Sequence, residues 1–233
     1  AALKSNGHLA FIFTGRARAS VSSEKLLNMV FDGIIAACGN YIEMDGKVIY
    51  ENNLSADMVQ KVIRVLSECK MPVVLEGSTD YWIDDEGFED DPYVDYLFES
   101  LGEHAHIIRG YNGEIRINKF SADVIDGTDY ERVKTEFADD FLILEHVENV
   151  VEFVPKGTSK ATGIKWLCNH LDIPLDETYA IGDSVNDLEM LESVGHGIAM
   201  GNSMPPAKEI AEYVTSDISD DGVKNALKHY GLI

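Results

Sequence analysis

The sequence predicts an α/β protein in which a doubly wound parallel sheet is interrupted by a smaller α+β layer. Three patterns carry this. After Pro155, strand-length apolar runs alternate strictly with helical spacing, as in parallel strands joined by crossover helices. Near the start, Leu9 to Phe13 is a continuous apolar run, the pattern of a strand buried on both faces. Between them, two helical segments alternate with paired strand-like runs, which suits a helix-covered antiparallel sheet.

In chain order, Ala1 to Gly7 has the look of a helix ending, with Gly7 as its stop, so further sequence is expected upstream. The strand at Leu9 to Phe13 follows, then a helix over Ser22 to Val30 and a short apolar strand at Ile34 to Ala37. Tyr41 to Tyr50 alternates around Asp45-Gly46, a hairpin signal. In the middle, Ser55 caps a helix whose Met58, Val62, Val65 and Leu66 keep helical spacing. Strand-like Val73 to Leu75, an acidic loop from Asp84 to Asp91, and a helix over Pro92 to Leu101 come next. A strand at Ile115 to Phe120, a helix at Tyr130 to Phe137, and strands at Phe141 to His146 and Val150 to Val154 complete this layer. The last stretch reads helix Ser159 to Leu171, strand Thr178 to Ile181, helix Asn186 to Glu192 and strand Gly197 to Met200. Helix Pro205 to Glu212, strand Tyr213 to Thr215 and a helix ending near Tyr230 close the chain.

Composition narrows the function. The formal net charge is −22, from 41 acidic and 19 basic residues, which repels phosphate backbones and anionic membrane surfaces. Nucleic acid and membranes are therefore not expected as partners. No apolar run is long enough to span a bilayer and no signal peptide opens the chain. Cys38, Cys69 and Cys168, odd in number and widely spaced, read as free thiols of a cytoplasmic protein.

Three pieces carry chemistry. Gly182-Asp183-Ser184-Val185-Asn186-Asp187 directly follows an apolar strand, where ligands of a parallel sheet sit. Its carboxylates, Asp183 and Asp187, and the Asn186 amide suit a hard cation that prefers oxygen, Mg²⁺ above all. The same residues also suit a plain helix cap. Phe13-Thr14-Gly15-Arg16 ends another strand; the Thr14 hydroxyl and the free N–H groups of such a turn can hold phosphate, and it equally fits an ordinary turn. Lys160 stands at a helix start, where the dipole disfavours a cation unless an anion or carboxylate compensates. It is either an exposed surface lysine or a group that stabilises charge developing on a phosphoryl group.

In this order the pieces resemble three of the four signature motifs of the haloacid dehalogenase-like superfamily, with Thr14 in the second, Lys160 in the third and Gly182 to Asp187 in the fourth. Ile198 to Asn202, Tyr213 to Thr215, Asp221 to Val223 and Phe31 to Ala37 look like the Cof-type subfamily, which carries a type IIB cap. The resemblance implies a Rossmann-like core over 1–51 and 152–233 with an inserted α/β cap over 52–151. It implies a Mg²⁺-dependent phosphatase acting on small phosphorylated metabolites, sugar phosphates or similar, through an aspartyl-phosphate. The nucleophilic Asp of the first motif is then expected before Ala1. Lys160, Asp183, Asp187 and Thr14 become the catalytic residues, with Asp183 and Asp187 also the metal residues. Thr14, Gly15, Arg16, Asn186 and Lys160 hold the substrate. The bound cation would also reverse the repulsion between an acidic protein and an anionic substrate. A phosphomutase on the same scaffold is the alternative, as is a non-catalytic phosphometabolite-binding protein if the first motif is truly lacking.

Some features depart from the family or mimic it. Cys38-Gly39-Asn40 stands where the subfamily usually has Asn-Gly-Ala. Asp126-Gly127-Thr128 and Asp32-Gly33 copy part of the first motif and read as turns. His104 and His106, two apart, read as a surface pair, with metal ligation as the other option.

Overall fold

The structure, a computed structural model, describes residues 2–88, 91–146 and 149–233. Residues 89 and 90 of the acidic loop 84–91 lie outside the described residues. The chain divides into two compact units: Ala1–Gly15, Leu27–Ile49 and Thr158–Ile233 form one, and Arg16–Leu26 with Tyr50–Gly157 the other.

The elements before the insertion are α1 (Ala2–Ser5), β1 (Phe11–Phe13), α2 (Glu24–Leu27), β2 (Gly33–Ala36), β3 (Tyr41–Met44) and β4 (Lys47–Glu51). Asp45 and Gly46 join β3 to β4 with φ of 50° and 71°, the left-handed pair that an Asp-Gly hairpin turn needs. The strands run in the order β1-β2-β3-β4. β1 lies parallel to β2, with Phe13 opposite Ile35, and β2 lies antiparallel to β3.

β1 differs from expectation. Its three residues are only half buried and Leu9 is exposed. The reason is pairing: among the described residues β1 has a single ladder partner, β2, so its other edge is open.

The inserted elements are α3 (Ala56–Glu68), β5 (Val73–Glu76), β6 (Tyr81–Ile83), α4 (Pro92–Leu101), β7 (Ala105–Ile107), β8 (Lys119–Asp123), α5 (Tyr130–Phe137), β9 (Phe141–Glu145) and β10 (Val150–Pro155). They build a six-stranded sheet in the order β7-β6-β5-β8-β10-β9, antiparallel except for β6 with β7. The Ser55 hydroxyl accepts from Met58 N to start α3, which buries Val59, Val62, Val65 and Leu66. Each such side chain contributes about 1.5–3 kcal/mol when buried. They pack with Phe120, Phe137, Phe141 and Phe153, where Phe120 and Phe153 stack at 4.5 Å on adjacent strands.

Val74, Tyr81 and Ile83 gather with Val94 and Leu97 of α4 and with Ala17. The Tyr81 hydroxyl also donates to Ser20 Oγ at 2.9 Å. These contacts explain why Arg16–Leu26, expected with the first domain, groups with the inserted unit: buried Ala17 belongs to that unit's core.

The last third returns to the first unit with α6 (Lys160–Leu171), β11 (Tyr179–Gly182), α7 (Leu188–Ser193), β12 (His196–Ala199), α8 (Pro205–Ile210), β13 (Tyr213–Val214) and α9 (Gly222–His229). β11, β12 and β13 are parallel in that order. Ala180, Met190, Leu191 and Ala207 form a core against which Phe13 and Ile164 pack, so β1 and β11 share one apolar layer with α6 and α7. Like β1, β11 has one ladder partner among the described residues. The α/β class and the strict helix–strand alternation after Pro155 are as the sequence predicts. Among the described residues, no helix is long and apolar enough to cross a membrane.

Candidate active site

The site is built where β1 and β11 end. Thr14 continues the ladder, its N–H donating to Ile35 O at 2.9 Å, so the turn Thr14-Gly15 opens at the carboxyl end of β1. At the carboxyl end of β11 the chain passes from Gly182 into a single turn of tight helix, Val185 to Asp187, before α7.

Asp187 folds back over this turn. Its Oδ2 accepts from the N–H of Asp183 at 3.0 Å, the N–H of Ser184 at 3.1 Å and the Ser184 hydroxyl at 3.2 Å. Gly182 permits this closeness, since a Cβ there would lie 2.6 Å from Asp187 Cβ. The other oxygen, Oδ1, meets Lys160 Nζ at 2.5 Å.

Lys160 is the first residue of α6, behind a capping box in which Ser159 Oγ accepts from Thr162 N and Thr162 Oγ1 from Ser159 N. The cation placed at a helix N-terminus is thus offset by a buried carboxylate. Its ammonium also lies 5.7 Å from the centre of the Phe13 ring, one residue before Thr14. Residues from the three separated sequence pieces therefore converge: Phe13 beside Thr14, Lys160, and the Asp183–Asp187 turn. Burial alone would raise the Asp187 carboxyl, but the Lys160 ammonium and the amides of Asp183 and Ser184 outweigh it and hold the group below the usual carboxylate range.

Asp183 is placed differently. Its backbone is tied at both ends, the N–H to Asp187 and the C=O to Met204 N at 3.0 Å. Its carboxylate is exposed and makes no hydrogen bond or ion pair among the described residues. Asn186 is exposed as well, with no hydrogen bond among the described residues.

Asp183 is thus an uncommitted oxygen donor of the kind a hard cation takes. Asp187, expected as a second metal residue, has both oxygens engaged and suits the role of orienting Lys160 and the Asp183 turn. Among the described residues, no three His, Cys, Asp or Glu side chains are grouped to hold a metal by themselves. Arg16 belongs to the inserted unit and Thr14 and Gly15 to the first.

The other candidates resolve as structural features. His104 Nδ1 and His106 Nε2 both contact Asp80 Oδ1, at 3.1 and 2.9 Å. Asp32 is buried against Lys4 and the Ala10 amide, and Gly127 is a turn at φ 83°. Cys38, Cys69 and Cys168 form no disulfide among the described residues.

Sequence reasoning gave Asn40 no role of its own. It is fully buried and bonded to the segment that precedes Lys160.

A family model described as haloacid dehalogenase-like hydrolase matches residues 1–227. The chain belongs to this family. "Putative phosphatase YkrA" of Bacillus subtilis (strain 168) is 30% identical over all of this chain and 88% of its own length. A crystal structure of a Geobacillus kaustophilus HTA426 protein superimposes with a TM-score of 0.84 at 27% identity, covering 100% of this chain and 89% of that one. BT4131, described as a sugar phosphatase of HAD subclass IIB, shares the fold at a TM-score of 0.75 and 23% identity, over 100% of this chain and 90% of its own. The chain is thus an enzyme of a hydrolase family whose relatives carry phosphatase names.

Proposed function

We propose that the chain is a Mg²⁺-dependent phosphatase that hydrolyses phosphomonoesters of small metabolites, sugar phosphates or similar, through an aspartyl-phosphate. The observation that carries the reading is the Lys160–Asp187 pair, seated beside Phe13 at the end of β1 and tied to the backbone of Asp183 at the end of β11.

Each residue has a task in this reading. The Thr14 hydroxyl and the Gly15 amide take phosphoryl oxygens, a role for which strand-end amides are suited. Lys160, oriented by Asp187, balances negative charge as the ester bond breaks. Asn186 adds a contact to the substrate. Asp183 holds Mg²⁺, which when bound supplies charge neutralisation between the attacking carboxylate and the phosphate. The attacking aspartate has no motif match within residues 1–233 and in this reading belongs to sequence before Ala1. The open edges of β1 and β11 support it, because a further strand can pair with either one. The inserted unit is read as the cap that selects the leaving group.

The test uses the full-length protein with p-nitrophenyl phosphate and Mg²⁺. Release of inorganic phosphate is expected, with loss of activity in EDTA and in Asp183→Ala. Hydrolysis untouched by both changes would sink the reading.

A further inference from the structure

Asn40 belongs to no signature piece, yet its side chain is fully buried just past β2, beside the carboxyl end of β1. A buried amide is tolerated only when it is bonded. Here Asn40 Nδ2 donates to Ala37 O at 2.8 Å, within its own loop, and to Thr158 Oγ1 at 3.2 Å. Thr158 stands two residues before Lys160, immediately ahead of the Ser159 cap.

Backbone packing points to the same place. A Cβ on Gly39 would lie 2.5 Å from Ser159 O, and one on Gly163 would lie 2.8 Å from Gly39 Cα. The loop and the first turn of α6 therefore touch backbone to backbone. To make this contact the loop takes three successive left-handed residues, Ala37 at φ 49°, Cys38 at 54° and Gly39 at 94°. Two of them are not glycine, a strained arrangement that persists only where the surroundings fix it. The loop's other side reaches the phosphate turn: Cys38 Sγ lies 3.8 Å from Gly15 O. One short loop thus contacts both the Gly15 turn and the start of the helix that carries Lys160.

We infer that Asn40 is a positioning residue for the reaction: it locks the Ala37–Asn40 loop to the first turn of α6 and so sets the spacing between the Thr14–Gly15 turn and the Lys160 ammonium. The role rests on the phosphatase reading above.

The test measures steady-state hydrolysis of p-nitrophenyl phosphate by the full-length protein, with melting temperatures taken alongside. Asn40→Ala is expected to lower kcat about tenfold and to leave KM within about twofold, the signature of a misplaced catalytic group. Thr158→Val, which keeps the shape and loses the acceptor, is expected to lower kcat in the same direction, and Thr158→Ser to restore it. In a Lys160→Ala background, Asn40→Ala is expected to cost less than about twofold, because the group it positions is gone. The inference is overturned by an unchanged kcat in folded Asn40→Ala, by a Thr158→Ser as impaired as Thr158→Val, or by an equal loss in the Lys160→Ala background. A wild-type protein inactive on the ester overturns the phosphatase reading first, and this one with it.

Discussion

Two lysines of this chain sit nearly out of solvent, each 2.5 Å from a carboxylate, and their surroundings differ. Among the described residues Lys160 faces one carboxylate, Asp187, whose second oxygen is taken by the backbone and hydroxyl of the next turn. Lys119 lies within the six-stranded sheet between Glu76 on β5 and Glu152 on β10. Glu76 also accepts from Tyr81 and Ser121, and Glu152 contacts His146. The first pair is neutral and stands at the ends of strands. The second cluster joins Lys119 to two carboxylates inside the sheet, with His146 on one of them. A buried ion pair is therefore not in itself a mark of chemistry; what distinguishes Lys160 is its place at the strand ends, with its Asp187 partner tied to the backbone of Asp183.

The contrast can be broken most sharply at Lys119. Lys119→Ala leaves the buried Glu76 and the partly buried Glu152 without this cation and is expected to cost about 3–5 kcal/mol of stability, whereas Lys119→Met, which fills the space with apolar atoms, should cost less. Urea unfolding of both variants decides this, and equal losses would show that the lost charge alone, with no share from packing, holds the cluster. At Lys160 the expected loss is of another kind. Lys160→Ala should lower kcat on p-nitrophenyl phosphate by about 10²–10³ and shift the melting temperature by only a few degrees. A large drop in melting temperature with little change in kcat would make Lys160 a second structural lysine.

Acid separates the two regions less strongly. Asp187 and Glu152 both have folded pKa values below their ordinary ones, because their lysine bonds outweigh the effect of burial. Their stabilisation is therefore present above the usual carboxylate range and is lost as pH falls through the lowered folded values. Asp187→Asn and Glu152→Gln should each flatten the fall in urea midpoint on acidification, and a profile unchanged in both would remove this account.

The smallest effect is expected at Asp123, whose carboxyl is pushed up to about 6, first by burial and then by the charge of Asp91. Here the folded state holds its proton more tightly than the unfolded one, so stability falls as pH rises from about 4 to about 6. Asp123→Asn should match wild type at pH 4 and exceed it at pH 7 by about 1 kcal/mol, a value discounted for partial exposure. Equal midpoints at both pH values would count against it.

The same contrast explains what the sequence could reveal. Asp183 and Asp187 were legible because their spacing is local and their strand is apolar. Helices Pro92–Leu101 and Tyr130–Phe137 lie where the sequence placed them, and in the structure a capping Asp precedes each. Strands β6 and β7 went unread because three residues are too few to display a period. Ile115 to Phe120 was read too early, because its alternation runs into the true strand, Lys119–Asp123. Glu76 and Lys119 pair across strands 43 residues apart, and no local pattern marks them. Asn40 was invisible for a similar reason: its partner Thr158 lies on the far side of the whole insertion.

The missing side chain of Gly182 has a consequence for how this enzyme can vary. The room that a methyl group would fill is occupied by the Asp187 side chain. Any larger residue at 182 must push that carboxylate outward, away from the Asp183 and Ser184 amides and from Lys160 together. A change that carries no charge of its own would thus loosen the Asp187 carboxylate, its Lys160 partner and the Asp183–Ser184 turn in one movement.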